Sequence, residues 1–318
     1  MGYRLKKDES VTAGVRRIAR EELDTAVAHL GHSQSKSRDE ATHEARKSVK
    51  KARALLRLVQ SEMGDAYREE SRALRDAGRK LSELRDANSV IESLQNLQKG
   101  YPHELRRPVF DAIHRGLFAR KRERETREDV TKVLHKIATE LKASGKRAKT
   151  WPLATDGFPA LESGLERTFR KSRAAFLKAQ KRPTAENYHE WRKRLKDHWY
   201  HIRVLENTWT EVMQGYEAAL KDVETWLGDD HNLVLLRHLL TAESQRFDGE
   251  KSVEPVISVI DKEQKRLRDN AASIGRRLYQ EKPRNLVRRL RQLWKEWQAE
   301  PKSLEDFEKN ARKHRLAA

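Results

Sequence analysis

The stretch HEARKSVKKARALLR, residues 43–57, sets one histidine and six basic side chains against a single acid. Wound at 100° per residue, His43, Arg46, Lys47, Lys50, Arg53 and Arg57 fall within an arc of about 120°, and Ala45, Val49, Ala52, Leu55, Leu56 and Val59 fall opposite. One face packs and the other presents cations. The i, i+4 acids that usually neutralise a surface helix are missing from that basic face. Arginine grips two anionic oxygens with its planar fork and lysine acts as a point charge, so the chemistry on offer is the binding of a polyanion.

A second stretch, HEWRKRLKDHWYHIR at 189–203, repeats the device with five basic side chains and two acids. Shifted by 146 positions, residues 42–90 align with 188–236 without a gap, and ten positions are identical, six of them inside one predicted helix. His189, Arg192, Lys193, Lys196 and Arg203 keep the register of His43, Arg46, Lys47, Lys50 and Arg57, whereas Trp199 stands in place of Arg53. A merely solvated face has no reason to hold those residue types in step while its neighbours drift. Upstream, GVRRIAR from Gly14 faces GLERTFR from Gly164 at an offset of 150. The chain reads as a duplicated unit.

The elements that must position these stripes are helices. Only 14 glycines and 8 prolines occur in 318 residues, and long stretches lack turn residues, which predicts an all-α fold. In a first half, 1–150, the breakers predict helices over 9–30, 38–62, 66–98 and 104–143, with a capping box at Ser37 to Glu40 opening the second. In a second half, 151–318, helices are expected to begin near Pro159, Pro183, Glu211 and Val253, with a further segment from Pro283. Residues 144–159 read as the linker. The expectation is two packed four-helix-bundle repeats.

A net charge of +19 and a sequence pI near 10.0 attract nucleic acid, anionic membrane or polyphosphate alike, with binding that weakens steeply in salt. No cysteine occurs, which excludes disulfides, thiolate metal sites and cysteine nucleophiles and makes a reducing cytoplasm the simplest setting. Neither an apolar leader nor a run of about 18 apolar residues is present, so no membrane span is expected. His198 and His201 share a face with packing residues and lack further ligands, so no metal site is expected. Neither GxxxxGK[ST] nor GxGxxG occurs and no acidic cluster would hold magnesium, so no catalytic residue or cofactor is assigned. The seven tryptophans read as core rather than stacking platforms, and RNLVRRLRQLWKEW, 284–297, reads as a last core helix rather than a membrane-surface one.

THEARKSVKKARALLRLV and YHEWRKRLKDHWYHIRVL, followed by LSELRDANSV and LGDDHNLVLL, resemble the two repeats of the CHAD family, over about residues 9–300. The resemblance implies paired four-helix bundles, related by a pseudo-twofold axis, whose basic central surface binds inorganic polyphosphate without catalysis, with association to polyphosphate granules. It places His43, Arg46, Lys47, Lys50, Arg53, Arg57, His189, Arg192, Lys193, Lys196 and Arg203 on the ligand. Polyphosphate carries a charge at nearly every phosphate and no bases to read, which fits rows of Arg and Lys. Further cations could come from Arg72, Arg75 and Arg79, or from Arg115, Arg120, Lys121, Arg122 and Arg124. The sequence departs from the repeat where His231-Asn232 faces Arg85-Asp86 and where Asp197-His198 faces Lys51-Ala52, implying a weaker grip in the second half. The alternative is a nucleic-acid-binding protein using the same surface, nucleic acid otherwise being only a competing polyanion.

Overall fold

The structure, a computed structural model, describes residues 2–31, 38–83, 86–125 and 130–300. Among these the chain is all-α, with no strand. The helices are α1 (Val11–Gly31), α2 (Arg38–Leu58), α3 (Ala66–Glu83), α4 (Asp86–Gly100), α5 (Arg107–Glu125), α6 (Val130–Ala148), α7 (Pro159–Lys181), α8 (Ala185–Val204), α9 (Thr210–Ala242), α10 (Glu250–Leu278) and α11 (Pro283–Ala299). Helices of the second half start where the breakers place them. Pro159 and Pro283 sit in first turns, where a missing N–H costs nothing, and the Thr184 side chain caps α8 by accepting from Asn187 N at 3.3 Å.

The helices expected over 66–98 and 104–143 are helical over most of their described residues, as α3 with α4 and as α5 with α6, and residues 84–85 and 126–129 between them lie outside the described residues. α5 packs on α4 and α10, whereas α6 packs on α1 and α3. Leu74, Ala77 and Leu81 of α3 join one apolar core, whereas Val90, Ile91, Leu94 and Leu97 of α4 join another. Ser37 of the predicted capping box, the loop before His43, Arg85 and the segment 126–129 lie outside the described residues.

Residues 149–158 are not a spacer, because Trp151 and Phe158 need burial and find it in the main core. Arg16 donates twice to Trp151 O, at 3.0 and 2.8 Å, Ala154 N donates to Glu62 O at 3.1 Å, and Asp156 accepts from Thr12 N at 2.9 Å. The junction is stitched to both halves. Both cores also draw on both halves: the larger joins α1, α2, α3 and α6 to α7, α8, α11 and the start of α9, and the smaller joins α4 and α5 to the end of α9 and the start of α10. Leu286, Val287, Leu290, Trp294 and Trp297 are buried, so α11 is the core helix its spacing suggests. Trp191 and Trp199 are buried as well, whereas Trp209 is 51% exposed.

The basic helices are held in place by a close crossing. A Cβ at Gly164 of α7 would overlap the backbone carbonyl of Leu58, so only glycine lets α7 lie against the end of α2. Arg167 donates to Arg57 O at 2.6 Å beside it. From α8, His201 Nε2 lies 2.8 Å from Ala54 O, and His198 Nε2 lies 2.9 Å from Tyr216 Oη. Both imidazoles are fully buried, and burial pushes each pKa down to about 3. They stay neutral in the fold but protonate in the unfolded chain below about pH 6.5, so stability is full above that pH and is lost as pH falls toward about 3. By about pH 5 each costs roughly 2 kcal/mol, and the thermal midpoint is expected to fall by about 6 °C from its neutral value. A His198→Phe variant should show a shallower fall in the same pH series of melting curves.

Candidate polyanion-binding site

Helices α2 and α8 pack against each other, one from each half, and α3 and α9 pack beside them respectively. Their apolar faces, Val49, Ala52, Leu55 and Leu56 on α2 and Trp191, Leu195 and Ile202 on α8, are buried. That fixes the rotation of each helix and so the direction of its basic arc. Lys47 and Lys193 are exposed; His43, Arg46, Lys50, Arg53, Arg57, His189, Arg192, Lys196 and Arg203 are half-buried. The outer ends of the arcs repeat one motif: Lys47 Nζ lies 3.2 Å from Glu44 and Lys193 Nζ 2.7 Å from Glu190. His43 Nε2 lies 3.8 Å from Glu44.

Between the helices the cations crowd together. No carboxylate among the described residues lies within ion-pair distance of Lys50. Burial, followed by the charges of Lys196, Arg46 and Arg192, pulls its ammonium pKa down to about 6. His231 of α9 closes this cluster, its ring packed at a 32° tilt against His189 with 4.1 Å between centroids. Burial lowers the His231 pKa to about 4, helped by His189, Arg192, Arg46 and Lys50. His189 is also lowered, first by burial and then by Lys193 and Arg192, and its Nδ1 is buried with no partner among the described residues.

The second stripe is not left uncompensated. Glu224 of α9 is 4% exposed, and its Oε1 accepts from Lys196 at 2.7 Å and from Arg192 at 3.2 Å, while Oε2 accepts from Lys221 at 3.0 Å. Burial alone would raise its pKa, but Lys196, Arg192 and Lys221 hold it far below the usual carboxylate range. Arg57 donates across the helix pair to Asp197 at 2.8 Å, and Arg203 pairs with Glu217 at 2.9 Å. Asp197 therefore links the halves. Burial lowers the Arg53 pKa to about 10, with the charge of Arg57 adding to the effect.

At the far end of α8, Trp199 lies under three cations, Lys221, Arg203 and Lys196, at 5.1, 5.5 and 6.0 Å from the ring centroid. Tyr3 comes from the N-terminal segment to donate to Lys51 O at 2.8 Å, and Leu5 N donates to Val204 O at 2.9 Å. That segment straps the ends of α2 and α8.

Of the further cations, Arg75 is exposed on α3, where it pairs with its neighbour Asp76 at 3.4 Å. Arg120 pairs with Glu243 and Lys121 with Asp39, and Arg115 is exposed on α5 beside the smaller core. Arg72 lines a cleft of about 610 Å³ between α3 and α6 whose lining mixes acids and bases, among them Asp65, Glu69, Asp76, Glu140 and Arg147. The side chains of Arg85, Asp86 and Arg124 lie outside the described residues. Tyr3, Glu217, Glu224 and His231 belong to the site without having been assigned to it from sequence. A signal for Glu224 existed: at the offset of 146 it meets Gly78, a buried charge facing a glycine inside an otherwise matched segment.

Among the described residues no helix is long and apolar enough to cross a membrane. A family model described as the CHAD domain matches residues 17–241, which include both basic helices, α9 and its Glu224 and His231. No curated protein matches the chain.

Proposed function

Because the chain belongs to the CHAD domain family, we propose that it binds inorganic polyphosphate along the surface between α2 and α8, without catalysis or a cofactor. The observation that carries this reading is the cluster around Lys50, where Arg46, Lys50, Arg192, Lys196, His189 and His231 converge, with Glu224 the buried acid of Arg192 and Lys196. Cations pressed together at a loss of solvation are stabilised by an anion that reaches all of them, and a flexible chain of phosphates does so. Family membership supports polyphosphate over other polyanions. In this reading the two halves are duplicated units about a pseudo-twofold axis between α2 and α8, each supplying one stripe, and the protein acts in the cytoplasm at polyphosphate granules.

A competition titration tests it. Labelled long-chain polyphosphate bound at about 150 mM salt is challenged with RNA, DNA and short phosphates at matched charge. Displacement by short phosphates and nucleic acid only at large excess supports the reading. Equal competition by all polyanions replaces it with generic electrostatic binding, and phosphate release on incubation with Mg²⁺ overturns its non-catalytic part.

A further inference from the structure

Glu224 and its three cations have matched positions in the first half. At the offset of 146, Arg192, Lys196 and Lys221 correspond to Arg46, Lys50 and Arg75, so every cation that grips the Glu224 carboxylate is retained as a cation. The acid alone is exchanged, for Gly78. The packing follows the same register: α3 lies on α2 as α9 lies on α8, and a Cβ at Gly78 would lie 3.6 Å from Val49 Cγ1 and 3.5 Å from an Arg53 guanidinium nitrogen, in ordinary contact. A side chain there would meet Arg53 and Val49 on α2.

We propose that the Glu224 carboxylate is an intramolecular stand-in for one phosphate, and that Arg46, Lys50 and Arg75 over Gly78 form the subsite in which the first half takes a phosphoryl group of the ligand. This assignment rests on the polyphosphate reading and adds a direction to it. Three donors already converge on two carboxylate oxygens in the second half, the arrangement a phosphate draws from the same residue types. There the ligand finds the place occupied and the charge neutralised. In the first half Lys50 has no such acid among the described residues, and the phosphate supplies one. The two stripes are therefore unequal: the ligand is anchored on α2 and only guided by α8. The buried carboxylate also keeps the second stripe assembled when no ligand is bound.

Two substitutions move the stand-in in opposite directions. Glu224→Gln keeps the volume and removes the charge, which frees the cations of Arg192, Lys196 and Lys221 to pair with a phosphate. Binding of labelled long-chain polyphosphate is expected to tighten by roughly three- to tenfold, and the slope of log affinity against log salt to steepen by about one. Gly78→Glu closes the first subsite and is expected to weaken binding by at least that factor with a shallower slope. Helicity measured by circular dichroism accompanies each titration. Weaker or unchanged binding in a helical Glu224→Gln variant overturns the proposal and makes Glu224 a support for Arg192 and Lys196 only, as does binding of Gly78→Glu at the affinity of the unaltered protein. If the unaltered protein itself fails to bind polyphosphate, the reading beneath the proposal fails with it, so the two failures are told apart by the first titration.

Discussion

Replacing Lys50 by methionine is expected to make the free protein more stable while cutting its affinity for polyphosphate by at least about tenfold. The Lys50 pKa is pulled down to about 6, first by burial and then by Lys196, Arg46 and Arg192. Between about pH 6 and about pH 10.5 the unfolded chain therefore holds a proton that the fold does not, and folding must release it. That cost is largest below about pH 6 and fades as pH rises toward the ordinary lysine value. At neutral pH it is on the order of several kcal/mol, far more than the roughly 1 kcal/mol separating a lysine stem from a methionine of similar length in packing. Methionine removes the titrating group and keeps most of the volume, so the thermal midpoint should rise by a few degrees at about pH 7 and the gain should shrink toward about pH 10. Polyphosphate binding to the unaltered protein should take up protons near neutrality, read as a dependence of calorimetric heat on buffer ionisation, and this uptake should fall in the variant. A lower midpoint for Lys50→Met would show that the ammonium is well accommodated without ligand and that the cluster is not strained.

Substituting Gly164 by alanine should be among the most destabilising single-methyl changes in the molecule, at about 3 kcal/mol or more. Two effects oppose each other. Alanine favours a helix interior over glycine by about 1 kcal/mol, but its Cβ here would overlap the Leu58 carbonyl, a rigid backbone atom that cannot turn aside. Overlap wins because relief requires α7 to lift from α2, taking Arg167 from Arg57 O. The change should also weaken polyphosphate binding, since α7 backs α8 and so sets how the stripes face each other. Gly215 of α9 is the control: nothing lies within 4 Å of its Cβ position, and Gly215→Ala should stabilise by about 0.5–1 kcal/mol. Urea unfolding of the two variants side by side checks both signs. Equal stability for the two would mean that the α2–α7 crossing yields cheaply.

Much of the site was legible in the sequence because it lies on two amphipathic helices whose buried and basic arcs are set by the 3.6-residue period. His43 through Arg57 and His189 through Arg203 needed no tertiary information to be placed on common faces. The counter-charges did not share that advantage. Asp197 belongs to a stripe but pairs with Arg57 of the other half, and Glu224 arrives from a different helix, so neither can be paired with a partner by counting along one helix. The helix starts at Pro159 and Pro283, and that near Pro183, followed from prolines whose local chemistry acts regardless of context. In the first half, which of the two cores receives the apolar faces of α3 and α4 is a choice made by long-range packing. Trp151 and Phe158 mark the same limit: the stretch around them has the composition of a linker, and its burial depends on residues far away in the chain.

The 33-residue helix α9 spans about 50 Å without interruption, contributes Leu220, Val223 and Leu227 to the larger core, and continues with Leu233, Leu236 and Leu240 into the smaller one. Neither core can melt without fraying a helix that the other needs. Heat should therefore dissolve the domain in one calorimetric transition, and amides at the two ends of α9 should exchange with deuterium at similar slow rates. A ligand that touches only the middle of this beam, near Glu224 and His231, would then slow exchange in α4 and α5 as well, where it makes no contact at all.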